Sequence, residues 1–213
     1  MGIPRVYTQA AEGAIASYDY TDIAEGTGTV LFYGCAARSG ALTATSNLNY
    51  TLTKLSVYSD PLETSGALTA GVYLSGAFDT SEFNLPQTIE GTGYAMFSWT
   101  LRDNAGSGFP FAKVQKWDGT TETTLAHASG AIDDWGNGVG RTCLIKIKNI
   151  PRTLFKKGDI LRLNAGLMCV TSTGTKGLFA HDPKDRDADY IKPSTDASST
   201  TKLEFHCPFR IDL

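Results

Sequence analysis

The sequence predicts an all-β protein, built as a sandwich or barrel of about nine strands. Apolar and polar residues alternate along many segments of the chain, which is the period-two pattern of half-buried strands. Turn residues separate these segments at the spacing typical of β-sandwiches and barrels. No segment shows the sustained apolar stripe of an amphipathic helix, so we expect no long helix.

The chain has 213 residues, a net charge of −3 and charged residues at 19% of its positions. This length suits one domain with its own core. We expect an N-terminal arm or loop-rich segment at residues 1–28, which lack apolar periodicity, and a β-sandwich at residues 29–213. The first residues lack the apolar segment of a secretory leader, and no apolar run is long enough to span a membrane. The bulk charge gives no support for nucleic-acid binding.

The first predicted strand, residues 30–33, is apolar on both phases, so we expect both of its faces to be covered. Residues 48–58 are predicted to form the next strand. Its apolar phase changes near Thr53 and Lys54, which predicts a β-bulge at that point. Residues 68–78 are predicted to form one further strand that glycines punctuate.

A strong alternating pattern at residues 95–101 predicts another strand. Asp118 and Gly119 then separate two strand-like runs, at residues 111–117 and 120–126. Asp-Gly between such runs favours a β-hairpin with a type I′ turn, because both central positions of that turn need φ > 0.

The longest alternating patterns lie within residues 142–170. Pro151 fixes φ and has no N–H donor, so the first strand of this region should end near Ile150. Gly158 supplies the φ > 0 position of the turn from which the second strand starts. A short strand is predicted at residues 177–180.

Residues 202–213 close the chain with five apolar residues on one phase of a predicted strand. Pro208 interrupts this strand and cannot donate to a ladder. We therefore expect Pro208 at a sheet edge or at a bulge.

The four cysteines show no C-x-x-C spacing, so a zinc site is not expected. They are Cys35, Cys143, Cys169 and Cys207. The last three fall on the apolar phases of predicted strands, which favours buried thiols. A disulfide stays open as the alternative, because spacing alone does not decide connectivity.

The sequence carries none of the local signatures of a catalytic nucleophile, such as G-x-S-x-G. Its three histidines, His127, His181 and His206, are far apart in the chain, and any catalytic partners would have to be brought to them by the fold. We therefore predict no catalytic, cofactor-binding or metal-binding residues, no cofactor and no enzymatic activity.

Two charged segments and one tryptophan offer weaker signals. Residues 181–189 hold four carboxylates, which could bind Ca²⁺, but Lys184 and Arg186 lie between the acids and a solvated loop is favoured. Arg152, Lys156 and Lys157 form a basic cluster, either a solvated turn or an intersubunit contact. Trp135 is expected to be an exposed loop residue, and one such residue is more often an interface anchor than a sugar platform.

Three motifs in the C-terminal third resemble small virion proteins of tailed bacteriophages. The motifs are FKKGDILRL at residues 155–163, Asp-Pro-x-x-Arg at residues 182–186, and KLEFHCPFRIDL at residues 202–213. The proteins they resemble are jelly-roll accessory capsid proteins, called decoration or cement proteins. The resemblance implies a single β-sandwich of the jelly-roll type that binds the major capsid protein and stabilises the capsid shell. It brings no catalytic residues with it.

The same resemblance implies a homotrimer on the capsid surface of a virion, assembled in the host cytoplasm, with neither nucleic acid nor membrane as partner. Self-association is also expected from the two-sided apolar strand at residues 30–33 and from three tyrosines in the N-terminal arm. Two alternatives stay open: a phage tail or fibre head domain, and a carbohydrate-binding module. Either would bind a glycan.

Overall fold

The all-β prediction is confirmed by the computed structural model, in which every regular element among the described residues is a strand. The structure describes residues 27–38, 48–102, 106–135, 140–172, 175–186, 191 and 199–210. Twelve strands lie in these residues, where about nine were predicted. They are β1 (Thr27–Arg38), β2 (Leu48–Thr53), β3 (Glu63–Leu68), β4 (Tyr73–Asp79), β5 (Gln87–Arg102), β6 (Gly106–Trp117), β7 (Glu122–Ser129), β8 (Asp133–Trp135), β9 (Arg141–Phe155), β10 (Ile160–Ser172), β11 (Thr175–Ala180) and β12 (Leu203–Arg210).

The strands form one hydrogen-bonded path in the order β3-β11-β5-β12-β1-β2-β4-β10-β6-β7, with β9 added to β5 and β8 added to β6. Every pairing between the described strands is antiparallel except that of β2 with β4, which is parallel and consists of one residue pair, Thr51 with Asp79. The path therefore has two halves, one ending at β2 and the other starting at β4, and this residue pair is the strand pairing that joins them.

One hydrophobic core takes side chains from both halves of the path. Phe78 of β4 is fully buried, and its ring lies 4.9 Å from that of Tyr50 and 6.3 Å from that of Phe179, both in the other half. The two halves therefore enclose the core between them, and burial of such rings is the dominant favourable contribution to folding.

The predicted arm at residues 1–28 lies outside the described residues except at its end. Thr27 and Gly28 already belong to β1 and pair with Arg210 and Phe209 of β12. The strand predicted at residues 30–33 is thus longer than expected. Of its two apolar phases, Val30 and Phe32 point into the core.

The bulge predicted near Thr53 and Lys54 is wrong, because β2 ends at Thr53. Leu55 and Val57, read as the second apolar phase of one strand, are 50% and 36% exposed. The single strand predicted at residues 68–78 is also wrong, since a turn with Gly71 at φ 82° separates β3 from β4.

The hairpin around Asp118 and Gly119 is confirmed, with β6 and β7 paired antiparallel. Its turn differs from the predicted type I′ turn. Trp117 pairs with Glu122, so the loop has four residues, and Gly119 is its one described residue with φ > 0. The Asp118 carboxylate accepts hydrogen bonds from the N–H of Thr120 and of Thr121, which closes this longer loop.

The strand end predicted near Ile150 is wrong, because β9 continues through Pro151 to Phe155. Among the described strands β9 pairs only with β5, so the missing N–H of Pro151 is tolerated at a sheet edge. The register of β9 against β5 shifts here, and Asn149 has φ 58°. Pro208 is confirmed at an irregularity, because the pairing of β12 with β5 shifts between His206 and Phe209.

Candidate functional site

A cleft of about 410 Å³ opens beside the point where the two halves of the path meet. β2 and β4 run parallel but pair only through Thr51 and Asp79. β4 ends at Asp79, and the cleft has two walls that we name by sequence: the first is formed by residues 51–55, and the second by residues 80–84, which follow β4. Its volume falls within the range of about 300–1,000 Å³ that is typical of small-molecule sites.

Both walls are fixed by backbone hydrogen bonds to neighbouring strands. The first wall continues β2, where Thr53 pairs with Tyr33 of β1. In the second wall, the N–H of Thr80 donates to the Leu161 carbonyl at 3.0 Å, and the N–H of Phe83 donates to the Asp159 carbonyl at 3.0 Å. The cleft is therefore preformed, and a ligand would not have to order its walls.

The floor of the cleft is apolar. Phe32 and Leu52 are 2% and 3% exposed and line it from β1 and β2. Phe83 is half-buried, and its ring lies 5.3 Å from that of Phe155 and 6.4 Å from that of Phe209. These ring contacts hold Phe83 in place at the base of its wall.

The walls carry one charge of each sign: Lys54 belongs to the first wall and Glu82 to the second. Both side chains are exposed, and none of the ion pairs between described residues includes either of them. The Lys54 ammonium lies 5.8 Å from the centroid of the Phe32 ring, over the floor. Thr51, Thr53, Thr80, Ser81 and Asn84 add hydroxyl and amide groups to the lining.

A second polar group surrounds His181, which is fully buried. Its Nδ1 lies 3.2 Å from the Ser59 hydroxyl, and its Nε2 lies 2.8 Å from the Thr64 hydroxyl. The Tyr50 hydroxyl lies 2.8 Å from Thr64. Ser59 also accepts from the N–H of Ala36 and reaches the carbonyl of Pro61. We call Tyr50, Ser59, Thr64 and His181 the His181 network.

One set of proton positions satisfies every atom of the His181 network. Tyr50 donates to Thr64, Thr64 donates to Nε2 of a neutral His181, and Nδ1–H donates to Ser59. Burial lowers the pKa of His181 to about 4, so the imidazole is neutral at pH 7. Charging it would place a second proton where Thr64 now donates.

The His181 network is not a hydrolytic triad. In such a triad Nε2 faces the nucleophile and Nδ1–H faces a carboxylate, whereas here Nδ1 faces Ser59 and Nε2 faces Thr64. Ser59 is 1% exposed, which leaves no space for a substrate carbonyl. The neighbouring Asp182 carboxylate is bound to Arg186 instead.

Asp182 is fully buried and holds the segment that follows it. Its carboxylate accepts from Nε and Nη2 of Arg186 at 2.9 and 3.0 Å, and from the N–H of Lys184 and of Arg186. Arg186 Nη2 also donates to the Ser59 carbonyl at 2.6 Å. The solvated loop predicted at residues 181–189 is therefore wrong for its described part, although the expected pairing of its acids with Arg186 is confirmed.

The cysteines are free thiols in the structure. Cys35, Cys169 and Cys207 are buried, and Cys143 is partly buried with its Sγ 3.2 Å from the Phe97 carbonyl. Burial raises the pKa of Cys143 to about 12 and raises that of Cys207 further. A thiol that stays protonated is a poor nucleophile.

The remaining residues that the sequence singled out are not brought together. His127 is exposed on β7, and His206 lies on β12 near Glu204, at 3.8 Å. Trp99 of β5 is buried. The side chain of Trp135 lies outside the described residues. Arg152, Lys156 and Lys157 are exposed on β9 and the following turn, and a contact of this basic cluster with another subunit stays a prediction.

The described part of the chain contains no group of three or more His, Cys, Asp or Glu side chains arranged to hold a metal ion. It also contains no helix long and apolar enough to cross a membrane.

No protein-family model matches the sequence, and neither does any curated protein. Among solved structures, an α-amino acid ester hydrolase is similar with a TM-score of 0.54 at 8% identity, over 75% of this chain and 34% of the enzyme. An aminopeptidase from a marine-sediment Thaumarchaeota archaeon also has a TM-score of 0.54, at 7% identity over 83% of this chain and 36% of the enzyme. A CocE/NonD family hydrolase from Staphylococcus aureus has a TM-score of 0.49 at 12% identity, over 75% of this chain and 34% of the hydrolase.

The two matches with a TM-score of 0.54 establish a shared fold, and this chain spans about a third of the length of all three structures. These two matches contradict the prediction of a virion structural protein without enzymatic activity, because both proteins are hydrolases. The capsid interpretation relied on short turn motifs such as residues 155–163, whose residue types are set by local turn chemistry and recur in unrelated β-sandwiches. The predicted homotrimer, capsid partner and virion location stay untested predictions.

The cleft residues Lys54 and Glu82 were not identified from the sequence. The available signal was the loss of alternation after Thr53, which marks the end of β2 and was interpreted as a bulge. The His181 network was missed because its members are separated by up to 131 positions in the chain, from Tyr50 to His181.

Proposed function

We propose that this chain works as the β-domain of a hydrolase that cleaves ester or peptide bonds. The observation that carries the proposal is the extent of the fold match. The similarity takes in 75–83% of this chain and only 34–36% of the α-amino acid ester hydrolase and the aminopeptidase. A match of this shape is expected when a chain corresponds to one domain of a larger enzyme.

The chemistry of the described residues supports a division of labour within that enzyme. Ser59 and His181 are buried and bonded to one another, and the Cys143 thiol stays protonated, so none of these groups is an available nucleophile. In this proposal the nucleophile and its base belong to a catalytic domain, in the same polypeptide or in a partner. The β-domain supports that domain and contributes to the walls around its substrate.

The test is purification of the native protein from its own source through a tag on this chain. The purified material is assayed with amino-acid esters and with aminoacyl p-nitroanilides, and it is treated with a fluorophosphonate probe, which labels nucleophilic serines. We expect hydrolysis to co-purify with the tag and the probe to label a site outside residues 1–213.

An unrelated tagged protein, purified from the same source at equal yield, is the control. Hydrolysis no greater than in that control, with both substrate classes, would overturn the proposal. Recombinant residues 1–213 are assayed in parallel. If they hydrolyse the esters alone, the division of labour is wrong, because the catalytic groups would then lie within this chain.

A further inference from the structure

We propose that the cleft lined by residues 51–55 and 80–84 binds short apolar peptides with free ends, of which a dipeptide such as Leu-Leu is the simplest case. The inference rests on the groups in the cleft and not on the proposed hydrolase function. It concerns a binding site within this chain, so it can fail or succeed independently of the catalytic domain.

The charges in the cleft select for a ligand that carries both signs. A simple anion would be attracted by Lys54 but repelled by the Glu82 carboxylate of the same cleft. A simple cation would be attracted by Glu82 but repelled by Lys54. A zwitterion satisfies both walls in one orientation, with its carboxylate at Lys54 and its ammonium at Glu82. Like-charge repulsion against the opposite orientation adds to this selectivity.

The separation of the two charges favours a peptide over a single compact ion. Lys54 lies on the first wall and Glu82 on the second. No ion pair, defined by an N···O distance of up to 4.0 Å, joins them, so their charged atoms are further apart than that. Each added residue of an extended peptide moves its termini about 3.3–3.6 Å further apart. A peptide can therefore bridge the cleft by adjusting its length.

The floor and walls suit the remaining parts of such a ligand. Phe83 is half-buried and presents an apolar surface on which an aliphatic or aromatic side chain can be buried, and the almost fully buried Phe32 and Leu52 complete the apolar lining. The hydroxyls of Thr51, Thr53 and Ser81 and the amide of Asn84 also line the cleft and can bind the peptide group.

The test is a titration of the isotope-labelled chain with Leu-Leu at millimolar concentrations, followed by amide chemical shifts. N-acetyl-Leu-Leu, which lacks the ammonium, and Leu-Leu amide, which lacks the carboxylate, are the matched probes. We expect Leu-Leu to shift the amides of residues 51–55 and 80–84, and each blocked probe to bind about tenfold more weakly.

Two variants connect each terminus to one wall. Glu82→Gln should weaken Leu-Leu binding by about tenfold and abolish the penalty for N-acetylation, while Lys54→Gln does the same for the amide. Lys148→Gln, at an exposed position of β9, is the control and should leave all three affinities unchanged. Because both cleft side chains are exposed, the variants should keep the wild-type spectrum elsewhere.

The proposal is overturned if Leu-Leu causes no shifts in the cleft, or if it binds there with the same affinity as both blocked probes. It is also overturned if the Gln variants weaken every probe equally, since that would indicate altered walls rather than lost recognition of the termini. A third variant combines Lys54→Gln with Glu82→Gln. If this double variant still prefers Leu-Leu to the blocked probes, Lys54 and Glu82 are excluded as the recognising groups.

Discussion

The His181 network and the cleft are both polar groups beside the same core, but their groups are partnered in opposite ways. In the network every described hydrogen-bonding atom of His181, Ser59 and Thr64 has a partner, and water has no access. In the cleft, Lys54 and Glu82 are exposed and have no ion-pair partner among the described residues. Saturated buried groups contribute to stability and to a unique packing, whereas unpartnered groups on preformed walls are available to a ligand.

This contrast matters because the network contains the residue types of a hydrolase. Serine, histidine and aspartate lie next to one another in space, yet burial and the orientation of the imidazole remove any reactivity. Residue types alone would assign the chemistry to Ser59 and His181. Accessibility and unused bonding capacity direct attention to the cleft instead.

The largest expected difference between the two regions comes from Asp182→Ala. The substitution removes a fully buried carboxylate that accepts four hydrogen bonds, two from Arg186 side-chain nitrogens and two from backbone N–H groups, so we expect the free energy of unfolding to fall by about 3–5 kcal/mol. Urea denaturation of the variant and the wild type measures the change. Lys184→Ala, at an exposed position of the same segment, is the control and should change stability by less than about 0.5 kcal/mol. A loss below about 1 kcal/mol for Asp182→Ala would show that the Asp182 carboxylate does not hold residues 183–186 in place.

A pH dependence is the next largest expected effect. The pKa of His181 is lowered from 6.5 to about 4 in the folded protein, so the unfolded chain binds a proton first as the pH falls. The stability of the neutral histidine is therefore fully present above pH 6.5 and is lost as the pH falls from 6.5 to about 4. The loss is about 3 kcal/mol in total.

Urea denaturation across that pH range measures how steeply the free energy of unfolding changes with pH. His181→Gln supplies the comparison, because glutamine does not titrate. The slope attributed to His181 is the difference between the two proteins, which removes the contribution of the carboxylates. Equal slopes in both proteins would mean that His181 is protonated in the folded state and that the network is not closed to water.

The smallest expected effect is on the stability of the cleft variants. Glu82→Gln removes an exposed charge without an ion-pair partner among the described residues, so the free energy of unfolding should change by less than about 0.5 kcal/mol. Lys54→Gln also removes the contact of the ammonium with the Phe32 ring, so its change should stay below about 1 kcal/mol. Thermal and urea denaturation at neutral pH measure it. A loss above about 1 kcal/mol in either variant would erase the contrast, because that side chain would then be part of the folded framework.

The fold class could be predicted because alternation is a local property. Leu161, Leu163 and Ala165 share one phase in the sequence and are fully buried in β10. Strand ends were harder to predict, because they depend on neighbours. A proline ends a strand that is paired on both sides. Among the described strands β9 has one partner, β5, and it continues through Pro151.

The candidate site could not be predicted for a related reason. Lys54 and Glu82 are 28 positions apart in the chain and line the same cleft only because β2 and β4 pair through Thr51 and Asp79. Asp182 and Arg186 sit in a segment whose composition is that of a solvated loop. Their burial depends on the Ser59 carbonyl and on His181, which the fold brings to them from elsewhere.

The single pair between β2 and β4 bears on how this protein can change over evolutionary time. The contact of Thr51 with Asp79 is made by main-chain atoms, so substitutions at these positions leave the opening in place. The wall residues that follow are largely exposed, and exposed positions accept new side chains at little cost in stability. The location of the cleft is therefore inherited with the strand order, while its chemistry is free to diverge. Relatives of this protein should share the opening and differ in what it holds.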